Sequence, residues 1–200
     1  MTPLVAISIA IMLGAMSPGP SFVMVARTAL SSGKSAGRRA ALGMALAGTL
    51  FAIAAVVGLA ALLVANGPLF TAFRVLGSAY LAYIGVTAII HAKTPLKVAE
   101  GQKEAKAGIW KGFTTQVSNP KTIVVYASVF ASLLPHSPEP WLLFALPLSI
   151  GVIEGFWYLV VANAFGSGKA VEFYARSKRS VDYVSGAIMI LLAIRLAIAS

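Results

Sequence analysis

The 200-residue chain contains no cysteine, so it has neither a disulfide framework nor a thiolate metal site. Charge is scarce as well. Asp, Glu, Lys and Arg make up 11% of the residues, where a soluble domain carries about 25%. Acidic residues are the rarest, six against sixteen basic ones. The two histidines lie in or beside loops without a second ligand at metal-binding spacing, so no metal is expected. No Walker motif, dinucleotide fingerprint or zinc-helix motif occurs, which argues against ATP-driven transport by this chain alone. No cofactor is expected.

What the chain has instead is hydrophobic sequence: 58% of it, with a mean hydropathy of +0.86. This composition points to an integral membrane protein whose surroundings are the lipid bilayer. The net charge of +10 does not indicate nucleic acid. The basic residues occupy short gaps between apolar runs, with no recognition-helix or stacking-aromatic pattern beside them. The first apolar run has no basic residue before it and is longer than a signal-peptide core, so a retained first membrane helix is expected.

Six apolar segments are expected, at 4–26, 40–65, 69–90, 112–134, 141–165 and 183–199. The gaps after the first segment and at 169–182 are expected as loops, and the gaps after the first, third and fifth carry four, five and four Lys or Arg; those after the second and fourth carry none. Six crossings put all three basic gaps on one side, which the positive-inside rule makes cytoplasmic. Both termini then face the periplasm. The expected fold is all-α and polytopic, a single membrane domain over 1–200. Repeat one covers about 1–92, a cytoplasmic linker about 93–108, and repeat two about 109–200. Three helices per half require repeats of opposite orientation, a recurring transporter plan with broken helices near the midplane.

The breaks themselves are legible. Ser17-Pro18-Gly19-Pro20 interrupts the first segment and Asn119-Pro120-Lys121 the fourth, with Ser17 and Ser118 101 residues apart. Proline lacks an N–H and clashes with the carbonyl one turn back. In a bilayer, freed backbone groups are tolerated only where protein or a watery cavity satisfies them. At 1.5 Å per residue from the cytoplasmic ends, Pro18 lies roughly 12 Å in, Asn119 to Lys121 roughly 10–14 Å, and Glu154 roughly 16 Å. Lys121 and Glu154 are the two clearly intramembrane charges. A charge at the bilayer centre costs about 2.5–3.5 kcal/mol on insertion scales, so such groups face a bundle interior and mark function. The candidate substrate site is therefore Ser17, Pro18, Gly19, Pro20, Asn119, Pro120, Lys121 and Glu154, lining one cavity. Direct pairing of Lys121 with Glu154 is one arrangement of it. Glu154 is the natural proton carrier. A zwitterion such as an amino acid suits this set, its carboxylate toward Lys121 or an N–H-rich break and its ammonium toward Glu154 or freed carbonyls. Gly151 with Gly155, and Gly43 with Ala47, have the spacing of close helix packing.

These residues resemble the lysine exporter superfamily, in its threonine/homoserine-type amino-acid efflux branch. The anchors are Ser17-Pro18-Gly19-Pro20, the basic stretch from Gly33 to Gly43, Asn119-Pro120-Lys121 and Glu154. The resemblance spans essentially the whole chain. It implies a bacterial inner-membrane exporter of amino acids or close derivatives, driven by proton antiport. Many members carry Asp at the acidic position; the extra methylene of Glu154 alters reach. Export of another small solute or a cation on the same fold is an alternative, as is a non-transporting scaffold. A divalent cation is disfavoured by the single buried acid. A membrane enzyme is disfavoured because no paired-carboxylate or nucleophile–base constellation lies in the spans. A homo-oligomer is compatible with this reading.

Overall fold

In a computed structural model, residues 2–64, 67–94, 108–135, 138–166 and 169–198 are described. The expected linker falls almost wholly outside them. Among the described residues the fold is helical throughout: α1 (Pro3–Met16), α2 (Pro20–Ser32), α3 (Lys34–Val64), α4 (Gly67–Ile90), α5 (Ile109–Val117), α6 (Pro120–Leu133), α7 (Pro140–Phe165) and α8 (Lys169–Ile198), with a 3₁₀ turn at His91–Lys93 after α4. The order is short, short, long, long, twice over.

Both breaks have the same local cause. A residue before proline is pushed out of the helical region. Ser17, before Pro18, is extended at φ −66°, ψ 125°, and Gly19, before Pro20, at φ −140°, ψ −173°. The result is a 57° bend between α1 and α2. Asn119, before Pro120, is extended at φ −82°, ψ 108°, and its side chain caps α6 by accepting from the Lys121 N–H at 3.0 Å.

Four helices are individually long and apolar enough to cross a membrane, and the bent α1–α2 pair makes five. α6 is a shorter apolar helix. Exposed apolar stripes run down the long helices, with Leu46, Leu50, Ile53 and Val57 on α3 and Phe144, Leu148, Val152 and Phe156 on α7. A helix whose outward face is also hydrophobic belongs in lipid. The chain is a multi-pass membrane protein.

Two sequence expectations are corrected. The basic stretch after the first segment is helical on either side of a single glycine, Gly33, whose φ of +85° ends α2. The polar stretch 169–182, expected as a loop, belongs to α8, whose apolar span runs Arg176–Ile198. Its buried charges satisfy one another one turn apart: Lys178 Nζ lies 2.7 Å from Asp182 Oδ2.

α3 packs on α7 and α4 on α8. Glycines let the backbones touch. A Cβ on Gly85 would come within 2.7 Å of the Gly186 carbonyl, and one on Gly186 within 2.7 Å of the Gly85 carbonyl. Gly43 and Gly112 seat α5 against α3, with added carbons meeting the Ile109 and Ala40 carbonyls. Gly151 meets Thr49 and Gly155 meets Ala45 across the α3–α7 seam. The basic segments gather at one end of the bundle. Arg38, near the start of α3, donates to Asn163 Oδ1, near the end of α7, at 2.8 and 2.6 Å. Lys178 donates to the His91 carbonyl, just beyond α4, at 2.9 Å.

Gly112→Ala is expected to lower thermal stability in detergent by about 1–3 kcal/mol, the usual cost of overpacking a rigid contact. Gly58→Ala, where an added carbon meets nothing, should be neutral or stabilising. Equal effects at the two positions would contradict the close α3–α5 approach.

Candidate functional site

A helix that stops inside a membrane leaves its last carbonyls without helical partners. At the end of α1, three consecutive carbonyls are each capped by a side chain from a different helix. Trp157 Nε1 of α7 donates to Ala15 O at 3.1 Å, the Tyr174 hydroxyl of α8 to Met16 O at 2.6 Å, and Lys121 Nζ of α6 to Ser17 O at 3.1 Å. Lys121 thus sets its positive charge at the negative end of a helix dipole. The Lys121 side chain passes over Gly19, where a Cβ would lie 3.4 Å from it, in ordinary contact.

Behind this break a chain of polar side chains runs to Glu154. Asn119 Nδ2 donates to Ser21 Oγ at 2.8 Å, Ser21 Oγ to Gln116 Oε1 at 2.5 Å, and Gln116 Nε2 to Glu154 Oε2 at 2.9 Å. Thr122 Oγ1 also points to Gln116 Oε1, at 3.4 Å. All five side chains are buried, Glu154 to 2% exposure. The chain joins both breaks to the carboxyl, since Ser21 opens α2 and Asn119 caps α6. The buried Tyr126 hydroxyl lies beside the Glu154 carboxyl. Gly48 of α3 closes the site from the other side; any Cβ there would run into the Glu154 carboxylate.

These groups line a cavity of about 30 Å³ that includes Ser17, Gly19, Gln116, Asn119, Lys121, Tyr126 and Glu154. A second, larger cavity of about 430 Å³ meets the first at Ser17, Gly19 and Lys121. It continues past Pro18 and Pro20 to Thr87, His91, Thr94, Lys178 and Asp182, toward the basic end of the bundle. The break and Lys121 are the partition between the two.

Of the sequence candidates, Ser17, Gly19, Asn119, Lys121 and Glu154 line the small cavity, and Pro18 and Pro20 line the larger one. Pro120 is exposed and lines neither; it starts α6. Lys121 and Glu154 do not pair. Lys121 holds a carbonyl and Glu154 an amide. Sequence reasoning passed over Gln116, Ser21 and Tyr126. Gln116 was there to be found, an uncharged amide inside an apolar segment three residues before the Asn-Pro step.

The LysE-type translocator model matches residues 12–200. The chain belongs to this family. Among relatives of this translocator, the threonine efflux protein of Escherichia coli K12 is 31% identical over 181 residues, 86% of each chain. That of Salmonella typhimurium LT2 is 29% identical over the same length and the same shares. The uncharacterized membrane protein YahN of E. coli K12 is 28% identical over 184 residues, 90% of this chain and 82% of the relative. No solved structure matches.

Gln116→Leu removes the amide that Ser21 and Glu154 share, and should cost about 1–3 kcal/mol in detergent unfolding. Combined with Glu154→Leu, the two losses should fall short of additive by at least about 0.5 kcal/mol. Losses that simply add would show that amide and carboxyl do not act together.

Proposed function

We propose that this translocator is a secondary active exporter of amino acids across the bacterial inner membrane, coupled to proton entry at Glu154. The observation that carries the reading is the meeting of a broken helix, the Lys121 ammonium and the Glu154 carboxyl at one small intramembrane cavity. An amino acid needs both charges matched. Its carboxylate is met by Lys121 and its ammonium by the Ser17 carbonyl or Glu154. Proton antiport needs a group that takes up the proton, and among the described residues Glu154 is the only acidic side chain on that cavity. The threonine efflux relatives supply the substrate class.

In this reading the chain crosses six times, α5 and α6 together forming the fourth span, as two inverted repeats with the linker about 93–108 in the cytoplasm and both termini in the periplasm. Three features support it. The two four-helix runs are alike in order. Contacts are exchanged between them, α1 meeting α7 as α5 meets α3. Gly85 and Gly186, 101 residues apart, touch each other's carbonyls, as equivalent residues near a two-fold axis would. Alternating access then amounts to moving the partition at Ser17, Gly19 and Lys121.

Everted vesicles carrying the protein should take up one or more amino acids by counterflow and under a pH gradient, the gradient-driven part being abolished by a protonophore. Glu154→Gln keeps an acceptor for Gln116 and should remain folded while losing gradient-driven uptake. Gradient-driven uptake unchanged in Glu154→Gln would move coupling elsewhere. No counterflow of any amino acid from folded protein would contradict export of this class.

A further inference from the structure

The cavity at Glu154 is the tighter of the two, about 30 Å³ against about 430 Å³ for its neighbour, which is large enough for an amino acid. Its lining has its own chemistry. Lys121 projects between the cavities, and its one ammonium hydrogen bond among the described residues, to Ser17 O, leaves ammonium protons for an anion. On the α8 wall, Lys178 Nζ holds Asp182 Oδ2 at 2.7 Å and the His91 carbonyl at 2.9 Å. Asp182 Oδ1, on a residue only 3% exposed, has no hydrogen-bond partner among the described residues. A buried carboxylate oxygen left without a donor is costly, and natural structures seldom keep one without a use for it. Asp182 and Lys121 face the same space from α8 and α6.

We infer that this vestibule is an entry subsite for a zwitterionic amino acid, with the ammonium drawn to Asp182 and the carboxylate to Lys121, ahead of the Glu154 cavity. The inference rests on the exporter reading and adds a selectivity to it. Among the described residues, two ammonium groups, Lys121 and Lys178, stand against one carboxylate, Asp182. His91 at the rim adds no negative charge. A lining with a surplus positive charge in a partly desolvated space repels a net cation. Neutral amino acids are admitted and dibasic ones turned away. Lys178 sets the selectivity by supplying the surplus charge, and Asp182 recognises the amino group.

The test is competition against counterflow of labelled L-threonine, or of whichever neutral amino acid gives the largest signal in the panel above. The competitors are its 2-hydroxy analogue, which lacks the ammonium, and L-lysine. Wild type should discriminate against both. Asp182→Asn should raise KM about tenfold or more, the usual worth of a charge-assisted contact, with the maximal rate within about twofold, and should erase discrimination against the hydroxy acid. A role confined to holding α8 would not move that ratio. Lys178→Gln, which keeps Asp182, should let lysine compete; this variant decides the matter if Asp182→Asn does not fold. Lysine competing in wild type as well as a neutral amino acid would overturn the inference while leaving the exporter standing. So would a folded Asp182→Asn with unchanged KM and discrimination, or lysine exclusion unchanged in Lys178→Gln. A wild-type protein that carries no amino acid at all overturns the exporter reading and this inference with it.

Discussion

The structure turns on the carbonyls that α1 leaves open when it stops inside the membrane. Water cannot reach them from lipid, so other helices must. Trp157, Tyr174 and Lys121 answer Ala15, Met16 and Ser17, and in doing so tie α6, α7 and α8 to one point of α1. A charged side chain is stable there because it has a helix end to bind. Lys121 also lines both cavities, so the residue that holds the open helix end is the one to which the proposed exporter assigns the substrate carboxylate.

The partition between the cavities follows from this. The wall consists of the Ser17–Gly19 strand of backbone and the Lys121 side chain, not of a packed helix. Pro18 and Pro20 have no N–H to donate, so this stretch is tied by few bonds: Ser17 N–H to Leu13 O at 3.2 Å, Val23 N–H to Gly19 O at 3.0 Å, and Lys121 to Ser17 O at 3.1 Å. On the far side, Asn119, Ser21, Gln116 and Glu154 form an unbroken donor–acceptor chain. A change at the carboxyl therefore reaches the cap of α6 and the first turn of α2 through three hydrogen bonds. That is a route by which occupancy of Glu154 can bear on the wall that Lys121 completes.

Much of this was legible in the sequence, for reasons that can be named. Proline and the residue before it act through local sterics, so both breaks could be placed to the residue. Lys121 and Glu154 stood out because charge in an apolar run is expensive. Gln116 and Ser21 carry no charge and attract no such notice, although they wire the site together. Asp182 and Lys178 were hidden by their surroundings: a polar stretch reads as a loop until an i, i+4 pair lets it continue as a helix. Proline alone was not decisive either, since Pro147 lies inside an unbroken α7. Which side chains cap which carbonyls depends on helix contacts that no periodicity encodes.

The central claim is that the broken helix is approached through the vestibule from the basic end of the bundle, the proposed cytoplasmic side. The absence of native cysteine makes a direct measurement clean. Thr87→Cys places a thiol in the vestibule, and Trp141→Cys one at the opposite end of α7. A membrane-impermeant thiol reagent should label Thr87→Cys in everted vesicles and not in right-side-out ones, with a transported amino acid slowing the reaction. Trp141→Cys should show the reverse sidedness and no protection. Labelling of Thr87→Cys from the periplasmic side, or with no protection by any transported amino acid, would contradict the account.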